Sequence, residues 1–273
     1  MAQGNTEIFV FDCKIWLDQF SLSNPRNVTS NPGFYDNQPY FMPDGDTFLY
    51  TSADESGTTD VYMHDLRSRS SRRLTYTPEG SEYSPIPTLD KKGFSCIILE
   101  QEKSQKLWKY FTNAPIASVV TDIDSVGYHA WFDETTLALF VVGEKNTLHI
   151  VDTNTGEAQK IDEEIGRGLF RIPEQNKISY VSLKDRNEWR IMSLDIETKE
   201  TSEIIQTLPG SQDYTWTADG VILMGDGQKL YKFDPLTDSS WVELADLNKY
   251  GLNSFSRIAI NPQVSKLAVV VNE

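Results

Sequence analysis

Tyr35-Asp36-Asn37-Gln38-Pro39-Tyr40-Phe41-Met42-Pro43-Asp44-Gly45 runs into Thr47-Phe48-Leu49-Tyr50-Thr51-Ser52. After a polar turn over 53–58 come Asp60-Val61-Tyr62-Met63-His64-Asp65 and then Ser71-Arg72-Arg73-Leu74-Thr75. Short runs of aromatic and β-branched residues bounded by Gly, Asp and Pro read as strands. Asp44-Gly45 supplies the positive φ of a tight hairpin between the first two. The stretch is therefore four short antiparallel strands, the make-up of one β-propeller blade.

The same turn-then-apolar step recurs at Leu89-Asp90, Phe132-Asp133, Pro173-Glu174, Ala218-Asp219-Gly220 and Asn261-Pro262. From Asp44 onward the intervals are 46, 43, 41, 45 and 43 residues. A steady period of about 40–50 residues made of strands is the signature of propeller blades. Asp65, Asp152, Asp195 and Asp234 recur at the ends of third strands, each before a turn, and support the period independently. The fold expected is all-β: a six-bladed propeller of four-stranded antiparallel blades in one domain over 1–273. Its blades span about 31–76, 77–120, 121–162, 163–207 and 208–248, with the last made of 249–273 plus 5–30. In that last blade Ser256 to Ile260 and Lys266 to Val271 are two strands, and Glu7-Ile8-Phe9-Val10-Phe11-Asp12 matches the third-strand pattern. Residues 14–30 become the outer strand and its exit loop, so the termini share a blade and close the ring, which protects strand edges. No helix is expected.

The chain has 273 residues, 39% hydrophobic and 11% aromatic, enough for a packed core. Its 25 basic and 40 acidic residues give a net charge of −15, which repels phosphate backbones and argues against nucleic acid or anionic membrane as partners. The acidity serves solubility, or else a cationic ligand or basic partner. Cys13 and Cys96 fall in the last and second blades, too far apart to bridge, and read as small buried residues. No apolar run reaches the roughly 20 residues that cross a bilayer. The start, Met1-Ala2-Gln3-Gly4-Asn5, precedes a strand almost at once, as after removal of a signal peptide.

The phrase Tyr35-Asp36-x-x-Pro39-x-Phe41-x-Pro43-Asp44-Gly45, with Leu49-Tyr50-Thr51-Ser52 and Asp60-Val61-Tyr62, resembles the TolB-type propeller repeat. The second repeat keeps Glu82, Pro85 and Asp90; the fifth keeps Trp216 and Asp219-Gly220 but has Ser211 and Tyr214 at the motif's Asp and Pro positions. The remaining repeats keep only strand and turn. The resemblance implies a six-bladed propeller, a periplasmic or secreted location, and binding of proteins, peptides or small ligands at a channel mouth. TolB itself adds an N-terminal α/β domain, so its docking role does not carry over. The same repeats occur in prolyl-oligopeptidase-like enzymes, whose hydrolase domain has no counterpart here.

No Gly-x-Ser-x-Gly elbow, zinc-spaced Cys/His pair or Ca²⁺ loop is present. His64 and His149 lie in third strands and read as structural, whereas His129 begins an innermost strand. Innermost strands begin near Asp36, Glu82, His129, Asp213 and Ser254, with Tyr35, Tyr83, Tyr128 and Tyr214 beside them. Two readings stand: a polar, acidic funnel with a Tyr-rich rim for partner recognition, or acids capping local turns and tyrosines packing between blades. The function expected is non-catalytic binding of a protein or peptide by a monomer, with no cofactor; Ca²⁺ in the central channel is the weaker expectation. The alternatives are a metal-assisted hydrolase or lactonase using Asp36, Glu82, His129 and Asp213, and a glycan-binding module.

Overall fold

Strands alternate their side chains between two faces, so a strand apolar on both faces belongs in a sheet covered on both sides. The computed structural model describes residues 4–16, 19–100, 103–111 and 114–273; the Met1-Ala2-Gln3 start lies outside them. The first two strands, β1 (Thr6–Trp16) and β2 (Gln19–Asn27), form a hairpin. Blade one follows as β3 (Asp36–Phe41), β4 (Thr47–Ala53), β5 (Thr59–Asp65) and β6 (Ser70–Arg73). Blade two is β7 (Gly80–Pro87), β8 (Gly93–Glu100), β9 (Gln105–Phe111) and β10 (Ala114–Val119). Blade three is β11 (Val126–Trp131), β12 (Thr136–Val141), β13 (Thr147–Asp152) and β14 (Ala158–Glu163). Blade four is β15 (Ile165–Arg171), β16 (Lys177–Ser182), β17 (Arg190–Asp195) and β18 (Thr201–Gln206). Blade five is β19 (Tyr214–Trp216), β20 (Ile222–Gly225), β21 (Lys229–Phe233) and β22 (Val242–Asp246). The last strands, β23 (Phe255–Ile260) and β24 (Lys266–Asn272), join the first two in the order β2-β1-β24-β23.

The fold is thus a six-bladed β-propeller of four-stranded antiparallel sheets, closed by a blade that both ends of the chain supply. Thr6 pairs with Asn272 and Asp12 with Lys266 across the seam. The third strand of this blade continues to Trp16, beyond the Asp12 at which the repeat pattern ends it, and the outer strand follows as β2. The one helical element among the described residues is a single 3-10 turn, Leu247–Tyr250, capped by Asp246 and ended by Gly251 at φ 77°. It places Leu247 in the core, which the strand pattern alone did not reveal.

The blades group into two compact units, Met1–Thr77 with Asp213–Glu273, and Pro78–Gln212. In the first, Leu267 and Val269 of β24 join Phe11, Leu230 and Leu247 in one cluster. Their neighbours Ala268 and Val270 turn the other way and meet Ile8, Val10, Phe48 and Tyr50. In the second unit β12 does the same. Leu137 and Leu139 pack with Ile97, Leu107 and Trp131, while Ala138 and Phe140 pack with Ile165, Ile178 and Tyr180. Each buried leucine, isoleucine, valine or phenylalanine among them contributes on the order of 1.5–3 kcal/mol. Cys13 and Cys96 are free thiols in these cores; burial pushes the Cys13 thiol up to about 12.

Aspartates set the turns. Asp44 accepts from the backbone N–H of Asp46 at 3.0 Å and of Thr47 at 2.9 Å, and Asp133 repeats this with Thr135 at 2.8 Å and Thr136 at 2.7 Å. After the third strands, Asp65 accepts from Arg67 and Ser68, Asp152 from Asn154 and Thr155, and Asp195 from Glu197 and Thr198. Such side-chain bonds hold a turn that the ladder cannot. Asp133→Ala leaves two backbone donors of a hairpin to water and is expected to lower stability by about 1 kcal/mol. Urea denaturation checks this; an unchanged midpoint would show the turn holding without its cap.

Candidate functional site

The residues expected at the innermost strand starts divide between the two units, and each group has its own architecture. In the first unit Tyr35 and Asp36 stand where β3 begins. The backbone of Thr6 donates to the Phe34 carbonyl at 2.9 Å, and its hydroxyl donates to the Asp36 carbonyl at 2.9 Å. Asn37 follows, its side-chain nitrogen donating to the Thr6 hydroxyl at 3.2 Å and its Oδ1 accepting from Arg257 Nη1 at 2.8 Å. Arg257 Nε also lies 3.9 Å from Asp213 Oδ1. One guanidinium on β23 thereby links the start of blade one to the residue preceding β19.

Asp36 is 1% exposed, and its Oδ2 has no hydrogen-bond partner. Burial pushes its carboxyl up to about 6; Glu7 and Glu273 add to the rise, while bonds from Ser52 and Asn31 oppose it. Glu7 is itself buried, with Oε1 accepting from the Asn31 backbone at 2.6 Å and Oε2 from the Thr29 hydroxyl. Glu273 accepts from the Gly33 backbone at 2.9 Å. The loop over 28–35 is thus held by carboxylates from β1 and from beyond β24. Tyr214 is buried, Asp213 and Tyr35 are half-buried, and half-buried Ser254 accepts from the Asn272 side chain at 3.0 Å.

In the second unit Glu82 is fully buried on β7, accepting from the Tyr110 hydroxyl at 2.7 Å. His129 is 2% exposed on β11, with Nε2 2.7 Å from the Ser95 hydroxyl on β8. Trp131 Nε1 donates to the same hydroxyl at 2.9 Å. The Ser95 hydroxyl also lies 3.4 Å from the Ile86 carbonyl, so one proton and two lone pairs serve Trp131, Nε2 and that carbonyl, while His129 Nδ1 is buried with no partner. Burial holds this imidazole neutral, its pKa down to about 3. Because Ser95 and His129 are both closed to solvent, the pair ties blade two to blade three rather than activating a nucleophile towards substrate. Tyr83 and Tyr128 are half-buried and pack on the apolar clusters of this unit, Tyr128 edge-on to Phe140 at 5.5 Å.

Among the described residues no group of three or more His, Cys, Asp or Glu is arranged to hold a metal ion. His64 and His149 are held by neighbouring hydroxyls, Ser71 at 3.0 Å and Thr147 at 3.0 Å, in the structural role their strands predict. Sequence reasoning missed Asn37 and Arg257. Neither occupies a motif position, and only the fold brings β3 and β23 together.

No protein-family model and no curated protein matches the chain. Solved structures do. A putative TolB from Agrobacterium tumefaciens superposes with a TM-score of 0.75 at 13% identity, over 99% of each chain. TolB from Acinetobacter baumannii gives 0.63 at 11% identity, covering 99% of this chain and 64% of that one. An oligogalacturonate lyase in complex with manganese gives 0.59 at 15% identity, over 100% and 99%. At such identities the likeness is one of fold: the chain is a TolB-like propeller, and none of these functions transfers with it.

Proposed function

We propose that the chain is a non-catalytic, extracytoplasmic propeller that binds a protein or peptide through the residues at its innermost strand starts. The supporting observation is chemical. Half-buried tyrosines at Tyr35, Tyr83 and Tyr128 each adjoin a buried polar residue in the chain, Asp36 in the first unit and Glu82 and His129 in the second. Each tyrosine is thereby held on a fixed polar base while keeping part of its surface for contact, and rigid aromatics of this kind anchor interfaces. Asp213 and Ser254 are half-buried and add a little polar surface, and Tyr214 is buried. The partner is a polypeptide, not nucleic acid, and the protein acts as a monomer without inserting into a membrane. Among the described residues no helix is long and apolar enough to span one. No cofactor enters this reading; Ca²⁺ in the channel is its alternative.

The full-length fold likeness to the lyase favours an enzyme as the second reading. A metal-assisted site using Asp36, Glu82, His129 and Asp213 requires the first three to open to water, and each is at most 2% exposed. A glycan-binding module requires exposed aromatics grouped on one face; Trp131 and Trp216 are buried, and the exposed Tyr40, Tyr76 and Phe111 belong to β3, the segment after β6, and β9.

The test is capture from an envelope fraction by the wild type and by Tyr35→Ala/Tyr83→Ala/Tyr128→Ala, followed by affinity measurement with the purified captured protein. The substituted chain, folded by circular dichroism, is expected to bind about tenfold or more weaker. Equal affinities would overturn the tyrosine assignment, and turnover of a polysaccharide or lactone by the wild type would favour the enzyme.

A further inference from the structure

The outer strand of blade one departs from the charge of everything around it. Arg67-Ser68-Arg69-Ser70-Ser71-Arg72-Arg73 places four arginines in seven residues with no acid among them, in a chain of net charge −15. Three other outer strands run the opposite way: β14 carries Lys160 against Asp162 and Glu163, β18 carries Glu203, and β22 carries Glu243 and Asp246, while the one arginine of β2, Arg26, is paired with Asp12. Two of the four arginines are neutralised within the fold, Arg67 by Asp46 and Arg73 by Asp60. Arg69 and Arg72 are exposed and make no ion pair among the described residues.

The strip is also built for contact. β6 pairs with β5 on one side only, so its other edge keeps backbone groups without ladder partners. Beside it Tyr76 is 73% exposed, with the Arg73 guanidinium 4.5 Å over its ring. An open strand edge with two exposed guanidinia that make no ion pair, and a third stacked on an exposed ring, is a surface suited to carboxylates. Arg and Tyr are the residues that dominate interface energies. The overall negative charge does not cancel the strip, because at about 0.1 M salt a charge is felt over only about 10 Å.

We propose that the β6 edge is a docking strip for an acidic, extended polypeptide segment, its carboxylates paired by Arg69 and Arg72 and its chain lying along β6 against Tyr76. The strip lies at the outer end of its blade and is independent of the innermost-strand site. The partner chemistry follows from charge complementarity: two exposed cations that make no ion pair, on an open edge whose own strip holds no acid.

The experiment is fluorescence anisotropy of a labelled Glu-Ser repeat peptide on the full chain at about 0.1 M salt. Saturable binding is expected, weakened about tenfold or more in Arg69→Asn/Arg72→Gln. Asn suits position 69, whose φ is 55°. Removing charges elsewhere, in Lys91→Asn/Lys92→Gln, should leave binding unchanged, and a Gln-Ser peptide should not bind. Equal thermal melting of the variants keeps the comparison free of folding effects. The proposal fails if the acidic peptide does not saturate, which would leave the arginines as guards against edge-to-edge aggregation. It also fails if both variants lose binding alike, or if an oligothymidylate binds the strip more tightly than the peptide.

Discussion

Asp36→Asn is expected to be more stable than the wild type near neutral pH by roughly 3 kcal/mol. The carboxyl lies at about 6 in the fold against 3.8 unperturbed, chiefly because it is buried, with Glu7 and Glu273 adding repulsion. A raised carboxyl pKa means that the folded state prefers the protonated form. The stability this group supports is complete below about pH 4 and is lost as pH rises through about 6. Asparagine keeps the shape, removes the charge, and gives the unpartnered Oδ2 position a donor that can face the neighbouring carboxylates. Urea unfolding measured near neutral pH and again near pH 4 should show the gain in the first and little in the second. A variant less stable than wild type at neutral pH would show that the ionised Asp36 has a partner it needs.

His129 behaves with the opposite sign. Its pKa is held near 3 by burial, against 6.5 unperturbed, so the fold requires the neutral ring. The stability it supports is complete above about 6.5 and is lost as pH falls towards 3, to a limit of roughly 5 kcal/mol. Between about pH 4 and 6 the two groups oppose each other at about 1.4 kcal/mol per pH unit each, and the wild type should respond weakly to pH there. His129→Gln, which keeps a hydrogen-bonding group near Ser95, should expose the Asp36 slope, with stability falling as pH rises. Asp36→Asn should expose the His129 slope, with stability falling as pH drops. If the single variants have the same pH profile as wild type across this window, the burial of these two groups is not what sets their titration.

The architecture was legible from period alone, and the reason lies in the turn at the first hairpin. Gly45 and Gly220 mark it in the sequence, with φ at 74° and 88°. The same left-handed conformation is adopted by Lys91, Glu174 and Val264, at 57°, 57° and 52°. Repeats two, four and six thus keep the geometry after losing the residue that advertises it, at a cost that is largest for a β-branched valine. The seam at the closing blade was equally readable, because a third-strand pattern at Glu7 had no partner nearby.

Which side chains of the innermost strands are closed to solvent was less legible, because bulges interrupt those strands. Register shifts interrupt β3 between Asn37 and Tyr40, β7 between Tyr83 and Ile86, β11 between Val126 and Tyr128, and β23 between Phe255 and Ile258. A bulge changes which face later residues present, and nothing in simple alternation foretells it. His129 follows such a shift, Asp36 and Glu82 lie just before theirs, and all three are buried. Tyr35, Tyr83 and Tyr128 beside them are half-buried, and Tyr83 and Tyr128 pack on apolar clusters while keeping some exposed surface.

The negative charge of this protein also acquires an origin. Asp44, Asp54, Asp65, Asp90, Asp133, Asp152, Asp185, Asp195, Asp226, Asp234 and Asp246 each accept a hydrogen bond from the backbone two residues on. That is eleven carboxylates engaged in bending the chain, against a net charge of −15. Much of the acidity here is a by-product of having so many hairpins, one formal charge at each of these eleven corners, while Thr217 and Asn261 do the same work uncharged at two others. A low isoelectric point in a propeller of this kind therefore carries little information about what it binds, and the informative charges are the few arginines that no corner requires.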